Sequence, residues 1–200
     1  ADSLNAGVNM SSYPLVCNID ADSIIDSEAL LRIIEPFVND WRVVAAGGTI
    51  RVANNCKISE GKVRSVNLSE NYLVRMQVVE YLRAFLFGRV GWAALNSLLI
   101  ISGAFGVFKK KFLIKAGGYN PHTVGEDMEL VLRINRKMKD LNRKYKVVFL
   151  PDPVCWTQVP DSLKSLGKQR KRWHRGLGES LFYNFKMFLI SETKALSSSD

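Results

Sequence analysis

Three short constellations in this sequence carry residue types that could do chemistry. The first is Asp20-Ala21-Asp22, two carboxylates one residue apart, directly after an apolar run that holds Val16, Cys17 and Ile19. At the end of a buried strand, where the chain turns, both acids can point into one cleft. A hard divalent cation such as Mg²⁺ or Mn²⁺ takes one or two such carboxylates and completes its shell with phosphate oxygens and water. Taken alone, Asp-x-Asp is more often a solvated turn or a helix cap. The second constellation is Gly125-Glu126-Asp127 at the expected start of a helix. Acids favour a first helical turn for dipole reasons, and the spacing from Thr123 to Glu126 is that of a capping box. Asp127 is not needed by the cap, which makes it the better candidate for a general base.

The third constellation is Gln169-Arg170-Lys171-Arg172-Trp173. On a helix, Gln169, Arg172 and Trp173 fall at i, i+3 and i+4, so one face carries an amide, a guanidinium and an indole. The planar fork of an arginine suits a diphosphate, and a tryptophan offers the flat apolar surface against which a sugar stacks. A solvated basic helix with one buried Trp is the plainer reading of the same residues.

These groups must be positioned by the elements around them. Tyr13 to Ile19 reads as a buried strand, and Asp26 or Ser27 can cap a following helix whose Leu30, Leu31, Ile34 and Phe37 recur at helical spacing. Arg42 to Ala46 and Thr49 to Ala53 read as strands either side of Gly47-Gly48. Asn71 to Phe87 is a long helix with Leu73, Met76, Val79, Leu82 and Leu86 on one face. Leu98 to Phe108 reads as strand, turn at Ser102-Gly103, then strand, and Gly117-Gly118 stops a short helix. A helix from Thr123 to about Lys139 and a strand from Tyr145 to Leu150, closed by Pro151 and Pro153, come next. Asp161 or Ser162 caps a basic helix through Trp173, and Gly176 to Ile190 makes an amphipathic tail. Strands alternating with helices argue an α/β domain with a largely parallel sheet. In such sheets ligands gather at the carboxyl ends of strands, where Asp20 and Asp22 would sit.

Length and charge narrow the classes. The 200 residues are enough for one core. Cys17, Cys56 and Cys155 are too few and too scattered for a disulfide framework or a zinc site, which fits a reducing compartment, and Cys17 is expected to be a buried thiol. The longest apolar run is too short to span a bilayer. A net charge of +9 suits a nucleic acid, an anionic membrane surface or a phosphate-bearing ligand. With no zinc-finger spacing, RNP motif or basic zipper, nucleic acid is not the expected partner.

Together, Asn18-Ile19-Asp20-Ala21-Asp22, Ser102-Gly103-Ala104, Gly125-Glu126-Asp127 and Gln169-x-x-Arg172-Trp173 resemble the D, D, QxxRW signature of processive family 2 glycosyltransferases. That group includes cellulose, hyaluronan and poly-N-acetylglucosamine synthases. The opening Ala1-Asp2-Ser3-Leu4-Asn5-Ala6-Gly7 resembles the family's segment before the metal-binding acids. The resemblance implies a GT-A (Rossmann-like) fold, with a mostly parallel sheet and flanking helices, that lacks its first β-α-β segment. It implies a catalytic domain over 1–175 and an interfacial or core-packing helix and polar tail over 176–200.

The resemblance also implies roles. Asp20 contacts the nucleotide or donor sugar, Asp22 holds Mg²⁺ or Mn²⁺ on the diphosphate, and Asp127 is the base. Gln169 and Arg172 grip the diphosphate, while Ser102, Gly103, Glu126 and Trp173 lie on the acceptor side. The implied reaction is inverting transfer from a nucleotide-sugar, expected to be a UDP-sugar, to a growing polysaccharide. A single addition to a lipid or protein acceptor, and a non-catalytic binding module, are the alternatives. The implied setting is the cytoplasmic face of a membrane, with membrane helices outside this chain. One departure stands out: the family's usual Thr-Glu-Asp is Gly125-Glu126-Asp127 here.

Overall fold

A computed structural model describes residues 1–185. Five strands form one sheet in the order β1-β6-β3-β7-β2: β1 (Leu15–Ile19), β2 (Ile24–Ile25), β3 (Val43–Val52), β6 (Phe105–Lys109) and β7 (Lys146–Thr157). A separate hairpin joins β4 (Lys57–Ser59) to β5 (Lys62–Ser65). The helices are α1 (Asp2–Met10), α2 (Ala29–Asn39), α3 (Tyr72–Glu80), α4 (Gly88–Ala94), α5 (Lys110–Ala116), α6 (Glu126–Asp140) and α7 (Leu163–Tyr183), with a π-helical stretch, Tyr81–Phe87, joining α3 to α4.

The α/β class holds, but the sheet is mixed rather than mostly parallel. Only β3 and β7 run parallel, while β1/β6, β6/β3 and β7/β2 are antiparallel. Alternation of strand and helix patterns counts the elements but does not set their direction. Here the chain between β3 and β6 re-enters the sheet through an irregular segment, so β6 returns against β3. That segment, from Leu98, was expected to be a strand, and only Phe105–Lys109 pairs.

The central strand β3 is buried from Val43 to Ile50, as a near-continuous apolar run covered on both faces should be. One face packs on Ile33 and Phe37 of α2, the other on Leu130, Ile134 and Met138 of α6. The strand passes through Gly47-Gly48 without the expected break. Gly47 pairs with Gly106 of β6, and this hollow is filled by Ile101, whose Cγ2 lies 2.6 Å from where a Cβ on Gly106 would stand. Ile101 thereby anchors the Ser102-Gly103 turn on the sheet.

Several expected faces and ends are different. The buried residues of α2 are Ala29, Ile33 and Phe37, whereas Leu31 is 75% exposed. Asp26 caps no helix with its side chain; its carboxylate accepts from Trp156 Nε1 at 3.0 Å. Along α3 the buried positions are Val74 and Gln77, and Met76, Val79 and Leu82 face outward. Spacing alone defines a stripe but cannot say which stripe the sheet covers. Asn71 does cap α3, its Oδ1 accepting from Leu73 N at 2.9 Å.

β7 runs on past Leu150 through Pro151 and Pro153. The register against β3 slips there, from Gly48↔Leu150 to Thr49↔Val154. The bulge excludes the two prolines from the ladder, and the Thr49 hydroxyl donates to the freed Pro151 carbonyl at 2.9 Å. Cys17 is exposed rather than buried, because β1 is an edge strand. α5 ends at Gly117 as expected. α7 runs unbroken across 175/176, and the distal part of the expected tail, 186–200, lies outside the described residues.

Candidate active site

Asp20 and Asp22 follow β1 directly, as the sequence indicates. The strand end is held from below by a relay. The Asn5 amide donates to the Tyr119 carbonyl at 2.8 Å, and Asn5 Oδ1 accepts from Tyr119 N at 2.7 Å. Tyr119 in turn accepts, at its hydroxyl, a hydrogen bond from the buried Asn18 amide. Arg133 steadies the same turn by donating to the carbonyls of Ala116 and Gly118, while its charge is met by the buried Glu129 at 2.7 Å. Asn5 and Tyr119 were not among the expected site residues; their amide and phenol types give no chemical signal until α1 and the α5–α6 turn meet.

Asp127 lies at the start of α6 and is held by backbone. Its Oδ2 accepts from Gly103 N at 3.1 Å, and its Oδ1 from Met128 N at 2.8 Å. The Ser102-Gly103 turn, expected on the acceptor side, therefore orients the carboxylate, with the Ser102 hydroxyl accepting from Ala104 N within the turn.

The expected capping box does not form. Gly125 is the N-cap with no side-chain bond, and the Thr123 hydroxyl donates to Glu179 Oε2 at 3.1 Å. Glu179 Oε2 also accepts from Val124 N at 2.9 Å, and Glu179 Oε1 from Arg175 Nε at 2.7 Å. These donors, the Val124 amide foremost and then Arg175, hold the Glu179 carboxyl below the usual range. Beside this latch the backbones of Gly125 and Gly176 touch: a Cβ on Gly125 would lie 2.9 Å from Gly176 Cα, C and O. Glycine at position 125 thus has a steric cause. The α7 helix sits where a side chain would be.

The latch brings α7 and the start of α6 together, and with them the charges of the site. The Asp20 carboxyl is pushed above its usual range, first by partial desolvation, then by the negative charges of Asp22 and Asp127, with Glu126 adding to them; Arg172 opposes the shift. Asp20, Asp22, Glu126, Asp127 and Arg172 thus share one electrostatic neighbourhood although they come from β1, α6 and α7. The two neighbouring aspartates after β1 raise each other's cost of ionisation, which a divalent cation would relieve. Among the described residues no group of three or more His, Cys, Asp and Glu is poised to hold a metal. Two aspartates at a strand end still fit an ion whose remaining ligands are phosphate and water.

Gln169 and Trp173 lie one helical turn apart on α7. Gln169 Oε1 is buried with no partner, so a ligand hydroxyl or amide would satisfy it, and the Gln169 Nε2 is the atom that could meet a diphosphate. The Trp173 ring is half-buried against Phe85, 5.8 Å between centroids.

This arrangement of a mixed sheet with acids at a strand end is that of a GT-A glycosyltransferase domain. The chain superposes on the mannosyltransferase PcManGT of Pyrobaculum calidifontis, solved with GDP-Man and Mn²⁺, with a TM-score of 0.63 over 93% of this chain and 43% of that one, at 18% identity. Residues 15–197 match the profile of glycosyl transferase family group 2, and the chain belongs to that family. It is 31% identical over 196 residues to the poly-β-1,6-N-acetyl-D-glucosamine synthase of Staphylococcus aureus, and 29% identical over 197 residues to that of Staphylococcus epidermidis. The chain spans 42% of the length of each of these relatives. The family resemblance drawn from the four motifs therefore stands. No described helix is long and apolar enough to cross a membrane.

Proposed function

We propose that this domain transfers a sugar, with inversion, from a UDP-sugar to the end of a growing polysaccharide at the cytoplasmic face of a membrane. What supports the reading is the placement of Asp20 and Asp22 just after β1 and of Asp127 on the first turn of α6, its carboxylate held by Gly103 N and Met128 N, with the charges of Asp22, Asp127, Glu126 and Arg172 all acting on Asp20. The relatives' names make UDP-N-acetylglucosamine the first donor to try.

In this reading Asp22 is the residue that holds Mg²⁺ or Mn²⁺, and Asp20 contacts the nucleotide or donor sugar. When bound, the metal supplies positive charge to the departing diphosphate. Arg172 and the Gln169 amide meet the same diphosphate through charge-assisted hydrogen bonds. Asp127, held by Gly103 N and Met128 N, takes the proton of the acceptor hydroxyl as its oxygen attacks the anomeric carbon. The bond from that carbon to the diphosphate oxygen breaks on the opposite face, and no covalent sugar–enzyme intermediate forms. Two backbone donors on Asp127 fix its direction before the acceptor arrives, which is the geometric requirement on a base. Trp173, Ser102, Gly103 and Glu126 border the acceptor path.

The test is nucleoside diphosphate release by the full-length protein in membranes, with a panel of nucleotide-sugars and Mg²⁺ or Mn²⁺. Metal-dependent release from one donor, with a ladder of products from radiolabelled sugar, supports elongation. A single product band refutes elongation and leaves one addition to a lipid or protein acceptor. No release from any donor in folded protein supports the non-catalytic alternative.

A further inference from the structure

The helical run from Tyr72 to Ala94 holds a buried cation that the reaction outlined above does not use. Arg89 is only 4% exposed, and its Nη1 is enclosed with no hydrogen-bond partner. No carboxylate lies within ion-pair distance of it among the described residues. A buried guanidinium without a bonded partner is strongly unfavourable, and an apolar side chain of the same size would fill the space at lower cost. Its retention calls for a task.

The surroundings of Arg89 show what the task is. Its Cζ lies 4.6 Å from the Phe85 ring centroid and 5.9 Å from that of Phe149 in β7. Phe85 packs edge-on against Tyr81 at 4.4 Å and against Trp173 of α7 at 5.8 Å. Arg170 Cζ sits 4.5 Å from the indole centroid of Trp173 and is held by Glu80 at 2.5 Å. The result is a continuous chain of ring and guanidinium contacts, Arg170–Trp173–Phe85–Arg89–Phe149, from α7 through the helix to the sheet, with the Phe85 and Trp173 rings tilted by 58°.

The backbone is built to keep this stack in line. Gln77, Tyr81, Phe85 and Arg89 are spaced four apart. In an α-helix residues four apart drift by about 40° per step, which over three steps would carry Arg89 off the face. The π-helical stretch Tyr81–Phe87 takes up that drift with its wider turn, and π-bulges of this kind recur at functional sites. Gln77, Tyr81 and Arg89 are accordingly all buried.

We infer that Phe85 and Arg89 are positioning residues for Trp173: the stack fixes the indole plane relative to the sheet, and so sets the acceptor path. This rests on the acceptor role proposed for Trp173. The broad, weakly hydrated guanidinium serves because it lies over two rings at once, 4.6 and 5.9 Å from their centroids. Burial pushes the pKa of the Arg89 guanidinium down to about 10, opposed chiefly by the negative charge of Asp127, so the group stays cationic at neutral pH.

The experiment compares Phe85→Leu, Phe85→Tyr, Arg89→Met and Trp173→Ala in the full-length protein. Three quantities are read: KM for a β-1,6-linked N-acetylglucosamine oligomer with UDP-N-acetylglucosamine as donor, the Kd of UDP with Mn²⁺, and acrylamide quenching of Trp173. The last is obtained as the difference between each protein and its Trp173→Phe partner. Phe85→Leu and Arg89→Met are expected to raise the acceptor KM about tenfold, to leave UDP binding within twofold, and to increase Trp173 quenching; Phe85→Tyr keeps the ring and stays near the parent. Unchanged quenching in both Phe85→Leu and Arg89→Met overturns the inference, as does weakening of UDP binding in step with KM. If Trp173→Ala itself leaves the acceptor KM unchanged, the acceptor role of Trp173 fails, while the quenching difference still decides whether the stack holds the indole.

Discussion

Replacing Gly125 by Ala tests whether the contact between α6 and α7 sets the site. A Cβ at that position would stand 2.9 Å from Gly176 Cα, C and O, whereas carbon atoms rest at about 3.5–4.0 Å. The two backbones must therefore separate by about 0.6–1.1 Å. Neither can give by a rotamer change, since both are main chain. Overpacking of this kind costs about 1–3 kcal/mol. The φ of −101° at Gly125 is open to alanine, so the reduced freedom of the unfolded chain returns about 0.4–1 kcal/mol. The net loss is about 0–2.6 kcal/mol, centred near 1.3, or roughly 3–5 °C in Tm for a chain of this length. Gly125 is two residues from Asp127, and a displacement approaching 1 Å at a reacting group can cost on the order of 100-fold in rate. Thermal unfolding and initial rates on the purified protein read both effects. Gly176→Ala, with its Cβ 2.8 Å from Gly125, should behave alike, and the double variant should cost less than the sum because one separation relieves both clashes. Gly125→Thr, with its larger side chain, should be worse than alanine. Wild-type rate and Tm in Gly125→Ala would refute the claim that this contact places Asp127.

Three other outcomes follow from the same geometry. Asp22→Ala should remove the metal dependence of nucleotide-sugar binding, measured by calorimetry with and without Mn²⁺; unchanged dependence moves the metal elsewhere. Asp20→Asn should raise the Tm of the metal-free protein while lowering activity, because the Asp20 carboxyl sits above its usual range, from partial desolvation and neighbouring like charges, and its ionisation opposes folding. The sign follows from linkage: the raised group destabilises the fold at neutral pH, and that burden is lifted as pH falls through its titration range. A Tm that drops in Asp20→Asn would contradict this. Glu179→Ala should lower kcat about tenfold or more by loosening the Asp127 loop and leave the donor Kd within twofold. The depressed Glu179 carboxyl keeps the latch through neutral and mildly acidic pH, and it is lost only as pH falls through that lowered value.

What was legible in the sequence is where the candidate site residues fall on their elements, at places where type and spacing coincide with a strand or helix end. The acids after β1, Asp127 on the first turn of α6, and the Gln169–Arg172–Trp173 face of α7 are of this kind. What was not legible depends on which surfaces meet. Met76 and Val79 form as regular a stripe as Val74 and Gln77, yet the sheet covers the second. Glu179 lies over 50 residues from Thr123 and carries no local signal, so its latch emerges only when α7 crosses the start of α6. The antiparallel course of β6 was hidden for a related reason, since strand direction is decided by the irregular segment around Ile101 rather than by any periodic pattern.

The central claim is that Asp127 acts as the base while the other acids hold the donor. It is tested most directly by Asp127→Asn in the full-length protein, with sugar transfer and Mn²⁺-dependent donor binding measured on the same preparation. The account predicts transfer lowered by at least two to four orders of magnitude, about the range of general-base catalysis, with donor Kd within twofold of the parent. Transfer within a few-fold of the parent, or loss of donor binding in step with transfer, would contradict it.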